Sequence, residues 1–138
     1  MSEFTLSNPY DRSGQWYRGN LHTHTNQSDG KAAPEAMVEW YAAHGYDFLA
    51  ITDHHRITLV ENCASDMVLI PGAEIGNVDV VTIGVRGALG EAQGDIGQSV
   101  REAQRLGGIS FIAHPYWGGL TAAAVSYTHL TLPTKRIV

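Results

Sequence analysis

Three short apolar runs, each ending in a polar cluster, constrain the fold of this chain more than any other feature. The runs are "FLAITDHH" (48–55), "MVLIPGAEI" (67–75) and "GISFIAHP" (108–115). Runs of this length and composition are typical of strands buried in a parallel sheet. Helix-like segments precede the first run and the last, and this alternation favours an α/β fold with parallel strands. Functional residues in such folds collect at the carboxyl ends of the strands, where these polar clusters lie.

Two segments carry helical patterns. Pro34 suits the first turn of the first helix, and Gly45 suits its end. Asp95 is a candidate N-cap for the second helix, which Gly107 would close. The apolar residues that recur at helical spacing are Met37, Val38, Trp40 and Tyr41 in the first segment and Ile96, Val100, Ala103 and Leu106 in the second.

Two further strands complete the predicted sheet. Residues 16–24, "WYRGNLHTH", carry β-favouring side chains and are predicted to form a first strand that runs into a loop. Residues 78–85, "VDVVTIGV", are predicted to form a strand that a turn at Gly76 and Asn77 joins to the preceding one.

Composition excludes several classes of protein. The chain has 138 residues, enough for one domain at most, and its net charge of −5 offers no basic surface for nucleic acid. Cys63 is the only cysteine, which excludes a disulfide framework and a cysteine-based zinc site. No apolar run approaches the ~20 residues that span a bilayer, and the amino terminus has no secretion-signal pattern. We therefore expect a cytoplasmic protein that does not bind membranes.

The segment "NLHTHTNQSDG" (20–30) concentrates three potential metal ligands. In an extended chain, His22 and His24 point to the same face and can aim both imidazoles at one ion. Asp29 adds a carboxylate, and Gly30 would permit a sharp reversal of the backbone. Two surface histidines followed by a plain "SDG" turn would give the same pattern, so this motif alone leaves both interpretations open.

The other strand ends add further candidates. His54 is a candidate ligand, and Asp53 could coordinate a metal or hold a histidine in place, whereas His55 is expected only to neighbour the site. Glu74 could bridge two cations, and His114 follows an apolar strand that a proline interrupts. The alternatives are a capping aspartate, an exposed glutamate and a structural histidine.

The candidate ligands are histidines and carboxylates without thiolates, a mixture that suits zinc, manganese or iron. Metals held ~3.5–4 Å apart can clamp the attacking and leaving oxygens of a phosphoester, with metal-bound hydroxide as the nucleophile. Arg56 could contact a substrate phosphate, or could be a solvated arginine.

Taken in order, "NLHTHTNQSDG", "ITDHH", "PGAEI" and "FIAHP" resemble successive motifs of the PHP (polymerase and histidinol phosphatase) superfamily, over about Trp16 to Trp117. The resemblance implies a distorted (β/α)7 TIM-like barrel with up to three divalent metals at the carboxyl ends of its strands. It also implies a ligand set: His22 and His24 for the first metal, Glu74 bridging to the second, His114 on the second, and Asp29 with His54 on the third.

The end of the chain departs from the family pattern. No Asp-x-His motif, which the family usually supplies late in the barrel, follows His114. Residues 125–138, "VSYTHLTLPTKRIV", closely resemble one translated reading frame of a common transposon-derived sequencing adapter. We therefore expect residues 1–124 to be the N-terminal part of a PHP barrel, incomplete in this chain, and residues 125–138 to be a non-native tail.

The expected function is a divalent-metal-dependent phosphoesterase of small phosphorylated metabolites or nucleotides. Glu74, Asp53 and Arg56 are the expected catalytic residues, and two to three ions of manganese, zinc or iron are the expected cofactors. The partner would be a small phosphoester and not nucleic acid, and we expect this chain to have weak activity or none. A hydrolase of non-phosphate esters or carbamates, and a non-catalytic module of a polymerase-like protein, are the alternatives.

Overall fold

Five short strands and two helices make up the described part of the chain. The computed structural model of the protein describes residues 9–11, 13–61, 66–76, 79–90, 96–123 and 125. A 3-10 turn at Pro9–Asp11 comes first. The strands are β1 (Gly19–Asn20), β2 (Phe48–Ile51), β3 (Val68–Ile75), β4 (Val80–Ile83) and β5 (Ile109–Ile112), and the helices are α1 (Pro34–Ala43) and α2 (Ile96–Arg105).

Both helices form where the sequence predicts them. Pro34 occupies the first turn of α1, and Gly45 follows its end in the left-handed region at φ 72°. Ala103 and Leu106, on the predicted apolar face of α2, are buried, and Gly107 follows that helix at φ 75°. The predicted N-cap Asp95 lies outside the described residues. Neither helix has the length and apolar character needed to cross a bilayer.

The sheet has the order β1-β2-β3-β4-β5 and is mixed. Strands β1, β2 and β3 are parallel, whereas β4 is antiparallel to both β3 and β5. Consequently β5 runs in the same direction as β1, β2 and β3, and the carboxyl ends of these four strands lie at one edge. The curled sheet is consistent with part of a TIM-like barrel, which confirms the predicted fold class.

Strand β4 differs from the parallel arrangement for a geometric reason. A turn beginning at Gly76, at φ 81°, joins β3 to β4, and a connection this short can link only antiparallel neighbours. The turn prediction holds at Gly76, while Asn77 lies outside the described residues. Because β4 runs backwards, its first residues lie at the same edge as the carboxyl ends of the other strands.

The first strand is much shorter than the prediction of 16–24. Only Gly19 and Asn20 pair with β2. Beyond them, the His22 amide donates to Asn20 Oδ1 at 3.2 Å and the Thr23 amide donates to Thr52 Oγ1 at 3.1 Å. The ladder hydrogen bonds expected for this segment are thus partly replaced by side-chain bonds, and both histidines lie in the loop that follows β1.

The core follows the two-residue period of the strands. Leu49 and Ile51 belong to one buried cluster, together with Val38 of α1. Ala50, which lies between them in β2, belongs to a second buried cluster, together with Val81 of β4. Strand β2 is therefore buried on both sides, as its continuous apolar run predicts, and it holds the polar residues that follow it in fixed positions.

Candidate metal centre

Glu74 lies at the centre of a cluster of four histidines. It is near the carboxyl end of β3, is 1% exposed, and has all four imidazoles around its carboxylate. Its Oε2 lies 2.9 Å from His24 Nε2 and 3.5 Å from His54 Nδ1. Its Oε1 lies 3.4 Å from His114 Nε2 and 3.7 Å from His22 Nε2. These histidines come from the ends of β1, β2 and β5, so the four co-directional strands bring them together.

The hydrogen bonds around His22 determine which of its nitrogens carries the proton. Its Nδ1 lies 2.8 Å from Thr52 Oγ1, and that hydroxyl lies 3.3 Å from the Thr23 carbonyl oxygen, to which it donates its hydrogen. A hydroxyl has only one hydrogen, so a Thr52 hydroxyl that donates to Thr23 accepts from His22. This arrangement favours the proton on Nδ1 and leaves the lone pair of Nε2 facing Glu74.

His24 and His114, like His22, have Nδ1 beside an oxygen atom and Nε2 facing Glu74. His24 Nδ1 donates to Asp29 Oδ1 at 2.6 Å, and His114 Nδ1 lies 3.4 Å from Asp79 Oδ2. A carboxylate beside Nδ1 favours the proton on that nitrogen and leaves Nε2 free to bind a metal. Metal-binding histidines usually have such an oxygen partner on the outer nitrogen. Three of the four imidazoles thus direct an unprotonated nitrogen toward Glu74.

The charge balance of this cluster calls for a cation. Neither carboxylate oxygen of Glu74 accepts a hydrogen bond within the described residues, and both are buried. Burial raises the pKa of Glu74, against the attraction of the neighbouring histidines. Burial, followed by the repulsion that a proton on His24, His114 or His54 would exert, lowers the pKa of His22 to about 4. Lone pairs that face buried oxygens repel them unless a cation lies between, so these residues fit divalent metal ions.

Three overlapping groups of side chains could each hold an ion. In each group the ligand atoms lie within 4.8 Å of one another. The groups are His22, His24 and Glu74; His24, Asp29 and His54; and His54, Glu74 and Asp79. Each pair of groups shares a residue, so two or more ions bound here would be close neighbours.

The predicted metal ligands are therefore all in one place, but the structure adds Asp79 to them. Asp79 precedes β4 and was missed because 78–85 reads simply as a strand. The predicted turn at Gly76 and Asn77 is the sequence feature that indicates its position. After a tight turn, the first residue of an antiparallel strand lies at the edge where the previous strand ends. His114, by contrast, follows β5 as expected and approaches Glu74 and Asp79.

Asp53 is buried behind the cluster and does not hold a histidine in the way considered from sequence. Its Oδ1 accepts from the Thr25 amide at 2.6 Å and Ser28 Oγ at 2.8 Å. Its Oδ2 accepts from Thr25 Oγ1 at 2.7 Å and Thr58 Oγ1 at 2.6 Å. Burial raises the pKa of Asp53, but these hydrogen bonds outweigh it and the pKa falls below its usual value. Asp53 fixes the loop that carries His24 and Asp29.

Arg56 lies at the surface beside the cluster. Its guanidinium donates to the Gln27 carbonyl oxygen at 3.3 Å, and both residues line a surface cavity with Pro34 and Glu35 at the start of α1. His55, expected only as a neighbour, is exposed, and its ring centroid lies 6.1 Å from that of His54. None of the candidate metal ligands lines that cavity, and the guanidinium of Arg56 contacts the loop between His24 and Asp29 rather than the ligands themselves.

The family model described as "PHP domain" matches residues 20–118, which include the whole histidine cluster. A search of curated proteins finds no significant match.

Proposed function

The chain belongs to the PHP domain family, and from this membership and its metal centre we propose that it is a divalent-metal-dependent phosphoesterase acting on small phosphorylated metabolites or nucleotides. The observation that carries the proposal is the overlap of the three ligand groups, two of which share Glu74. Ions that share ligands lie close together, and paired ions are suited to in-line displacement at phosphorus.

Each residue has a distinct role in this proposal. His22, His24 and His54 hold the cations with Glu74, whose buried carboxylate faces more than one group of ligands. When bound, the cations would act as Lewis acids on the phosphoryl oxygens and lower the pKa of a water molecule. Asp53 is a positioning residue, because it contacts the loop that carries His24 and does not contact the imidazoles.

Arg56 is the proposed binding residue for the anionic substrate. It is exposed, follows His54 by two positions, and lines a surface cavity with Gln27, which lies between His24 and Asp29 in the chain. A guanidinium matches phosphate geometry with two parallel hydrogen bonds. Glu35 lines the same cavity, so Arg56 would have to release Gln27 and point toward the metals to bind a doubly charged phosphate.

The experiment compares esters that share one leaving group. The full chain is stripped with chelator, reloaded with Mn²⁺, Zn²⁺ or Fe²⁺, and assayed with p-nitrophenyl phosphate, bis-p-nitrophenyl phosphate and p-nitrophenyl acetate. We expect metal-dependent release from the phosphate esters and loss of that release in Glu74→Gln. Arg56→Gln should raise KM for phosphate esters, whereas Arg101→Gln, on the exposed side of α2, should leave KM unchanged.

Product binding gives a second measurement that does not depend on fast turnover. Inorganic phosphate should bind the Mn²⁺-loaded protein, observed as broadening of its ³¹P resonance, and should not bind the metal-free protein. Turnover of the acetate alone would favour an esterase of non-phosphate substrates. Bound metal without phosphate binding or turnover would support a non-catalytic PHP module.

A further inference from the structure

Trp117 lies beside the metal centre, yet most of its ring is in solvent. The centroid of its indole is 5.7 Å from that of the His114 imidazole. The same imidazole faces Glu74, with Nε2 3.4 Å from Oε1. One imidazole ring therefore separates the indole from the carboxylate at the centre of the cluster. The residue is nevertheless 84% exposed.

Backbone hydrogen bonds hold the turn that carries Trp117. The amides of Trp117 and Gly118 donate to the His114 carbonyl oxygen at 2.9 and 3.3 Å, and the Leu120 amide donates to the Pro115 carbonyl oxygen at 3.0 Å. His114 has φ 29°, which is uncommon for a residue other than glycine. Backbone strain of this kind is concentrated at functional sites. The strained residue is itself a candidate metal ligand, and the turn that follows it fixes the indole next to it.

Trp117 differs from the other two tryptophans of the chain, each of which already stacks on a ring of its own. Trp16 stacks on a tyrosine with the ring planes at 20°, and Trp40 stacks on a histidine with the planes at 22°. The planes of Trp117 and His114 meet at 46°. Because this contact is tilted and the residue is so exposed, the faces of the indole remain open to a further planar group.

The neighbour of Trp117 in the turn is also an exposed aromatic residue. Tyr116 is 90% exposed, so two successive aromatic side chains place apolar surface next to a polar cluster. Single exposed apolar side chains are ordinary. Apolar surface beside a polar centre is typical of ligand sites, in which aromatic walls surround a few polar groups. Here the candidate metal ligands are the polar groups, and the indole is the wall.

We propose that Trp117 is a specificity-determining residue that stacks on a flat aromatic ring in the alcohol part of the phosphoester. The inference rests on the proposed function, because the phosphoryl group must be held at the metal centre for the alcohol part to reach the indole. A nucleobase carried on a ribose and a simple aryl group both provide such a ring. Stacking needs only the π-face of the ring, so Trp117 selects aromatic alcohols over aliphatic ones and does not select one particular base.

Two pairs of esters isolate the contribution of the ring. Adenosine 5′-monophosphate and ribose 5-phosphate differ in the base, and benzyl phosphate and cyclohexylmethyl phosphate differ in the aromatic character of one ring. KM is measured with the metal-loaded full chain, and the aromatic preference is the ratio of the aliphatic KM to the aromatic KM within a pair. The variants are Trp117→Ala, Trp117→Leu and Trp117→Phe. Trp16→Ala is the matched control, because Trp16 is 70% exposed and precedes β1, away from the carboxyl end of that strand.

We expect the aromatic preference to fall at least about fivefold in Trp117→Ala and Trp117→Leu, the lower value for a base stacked on an aromatic side chain. It should persist in Trp117→Phe and in Trp16→Ala. A fall for the nucleotide pair alone identifies the ring as a nucleobase, and a fall for the benzyl pair alone identifies it as a simple aryl group. Hydrolysis of all four esters with no aromatic preference, or with the same preference in Trp117→Ala, would overturn the inference and leave the proposed function standing.

A binding measurement tests the same contact without turnover and with Trp117 intact. Trp16 and Trp40 are both replaced by phenylalanine, which leaves Trp117 as the only tryptophan, and the variant is loaded with Zn²⁺. We expect NOEs from the indole protons to the ring protons of adenosine 5′-monophosphate or of benzyl phosphate. The absence of NOEs to both rings would refute the stacking contact. NOEs to either ring without hydrolysis of any ester would refute the proposed function and leave this inference standing.

Discussion

Glu74 lowers the stability of the metal-free fold through the same property that suits it to bind cations. Its carboxylate is 1% exposed and neither oxygen accepts a hydrogen bond within the described residues. A buried polar group without a partner destabilises the folded state, and a charged one more so. The same unpaired oxygens are what allow the protein to bind cations. The metal-free protein is therefore less stable than its fold permits, and the difference is recovered when metal binds.

Substitution of this residue should change stability in opposite directions with and without metal. In EDTA, we expect Glu74→Gln to raise the free energy of unfolding by about 1–3 kcal/mol, because an uncompensated buried charge is removed. With Mn²⁺ at ~1,000 times its Kd, the original protein gains about 4.1 kcal/mol and the variant gains little, so the order of the two stabilities reverses. Urea unfolding in both buffers measures this. Glu39→Gln is the control, and destabilisation of Glu74→Gln in EDTA would contradict the account.

Asp53 differs from Glu74, because both oxygens of its buried carboxylate accept hydrogen bonds. It accepts hydrogen bonds from Thr25, Ser28 and Thr58. An amide in its place turns one acceptor into a donor that faces hydroxyl and amide donors. We expect Asp53→Asn to cost about 3 kcal/mol, equivalent to two bonds to a charged group, and to weaken metal binding ~10-fold by loosening the loop of His24.

The matched variant for that prediction is Thr58→Val, which removes one bond to Asp53 and leaves the loop bonds intact. It should lose about half as much unfolding free energy and retain its metal affinity. Urea unfolding and Mn²⁺ titration measure both quantities. Equal metal affinities in Asp53→Asn and the original protein would show that Asp53 does not position the ligands.

At the scale of elements, the sequence predicts those parts whose structure depends on local patterns. Strand β2, with a continuous apolar run, and α1, bounded by Pro34 and Gly45, lie where expected. The predicted strand over 16–24 shrinks to Gly19–Asn20, because side-chain oxygens of Asn20 and Thr52 accept from the backbone amides of His22 and Thr23. The second of these bonds depends on Thr52, a distant residue that follows β2, and a local pattern does not contain it.

Helix α2 is tied to the segment before it by Glu102, which provides a pH-dependent contribution to stability. Glu102 accepts from the Gly90 amide at 2.6 Å and from two nitrogens of Arg105. The hydrogen bonds from Arg105, followed by that from Gly90, lower the pKa of Glu102 from 4.5 to about 2. Because the folded-state pKa is depressed, this stabilisation is fully present above pH 4.5 and is lost as the pH falls toward about 2.

Glu102→Gln should therefore lower the urea midpoint of the metal-free protein at pH 7. The difference in urea midpoint between the variant and the original protein should narrow between pH 4.5 and pH 2.5. Measurements in chelator keep the histidine cluster free of metal in both proteins. Glu39→Gln, an equal charge change on the exposed surface of α1, serves as the charge control. A gap that stays constant over this pH range would show that Glu102 is not held in its charged form.

At the scale of the whole molecule, the site depends on strand direction. His22, His54 and His114 are brought to Glu74 because β1, β2, β3 and β5 point the same way. The sequence indicates strand ends and their polar residues, and the family resemblance orders them, so six metal candidates could be named in advance. Asp79 was not named, although the predicted turn at Gly76 implies that β4 runs back from this edge of the sheet. Its first residues therefore lie beside the carboxyl end of β3.

The last prediction concerns residues 125–138, for which we propose a non-native origin because of their resemblance to a translated adapter. Residue 125 is described, and its amide donates to the Thr121 carbonyl oxygen at 3.1 Å, whereas 126–138 lie outside the described residues. The family match ends at residue 118, and every strand and metal candidate named above precedes that point. We expect deletion of 126–138 to leave the urea midpoint and the Mn²⁺ stoichiometry unchanged.

The control for this deletion is a chain that ends after residue 107, which lacks β5 and His114. It should lose cooperative unfolding, because β5 contributes Ile112 to the buried core and pairs with β4. A lower midpoint after removal of 126–138 alone would show that the tail packs against the domain and stabilises it. That result would contradict a foreign origin, because a segment not selected with the domain has no reason to complement its surface.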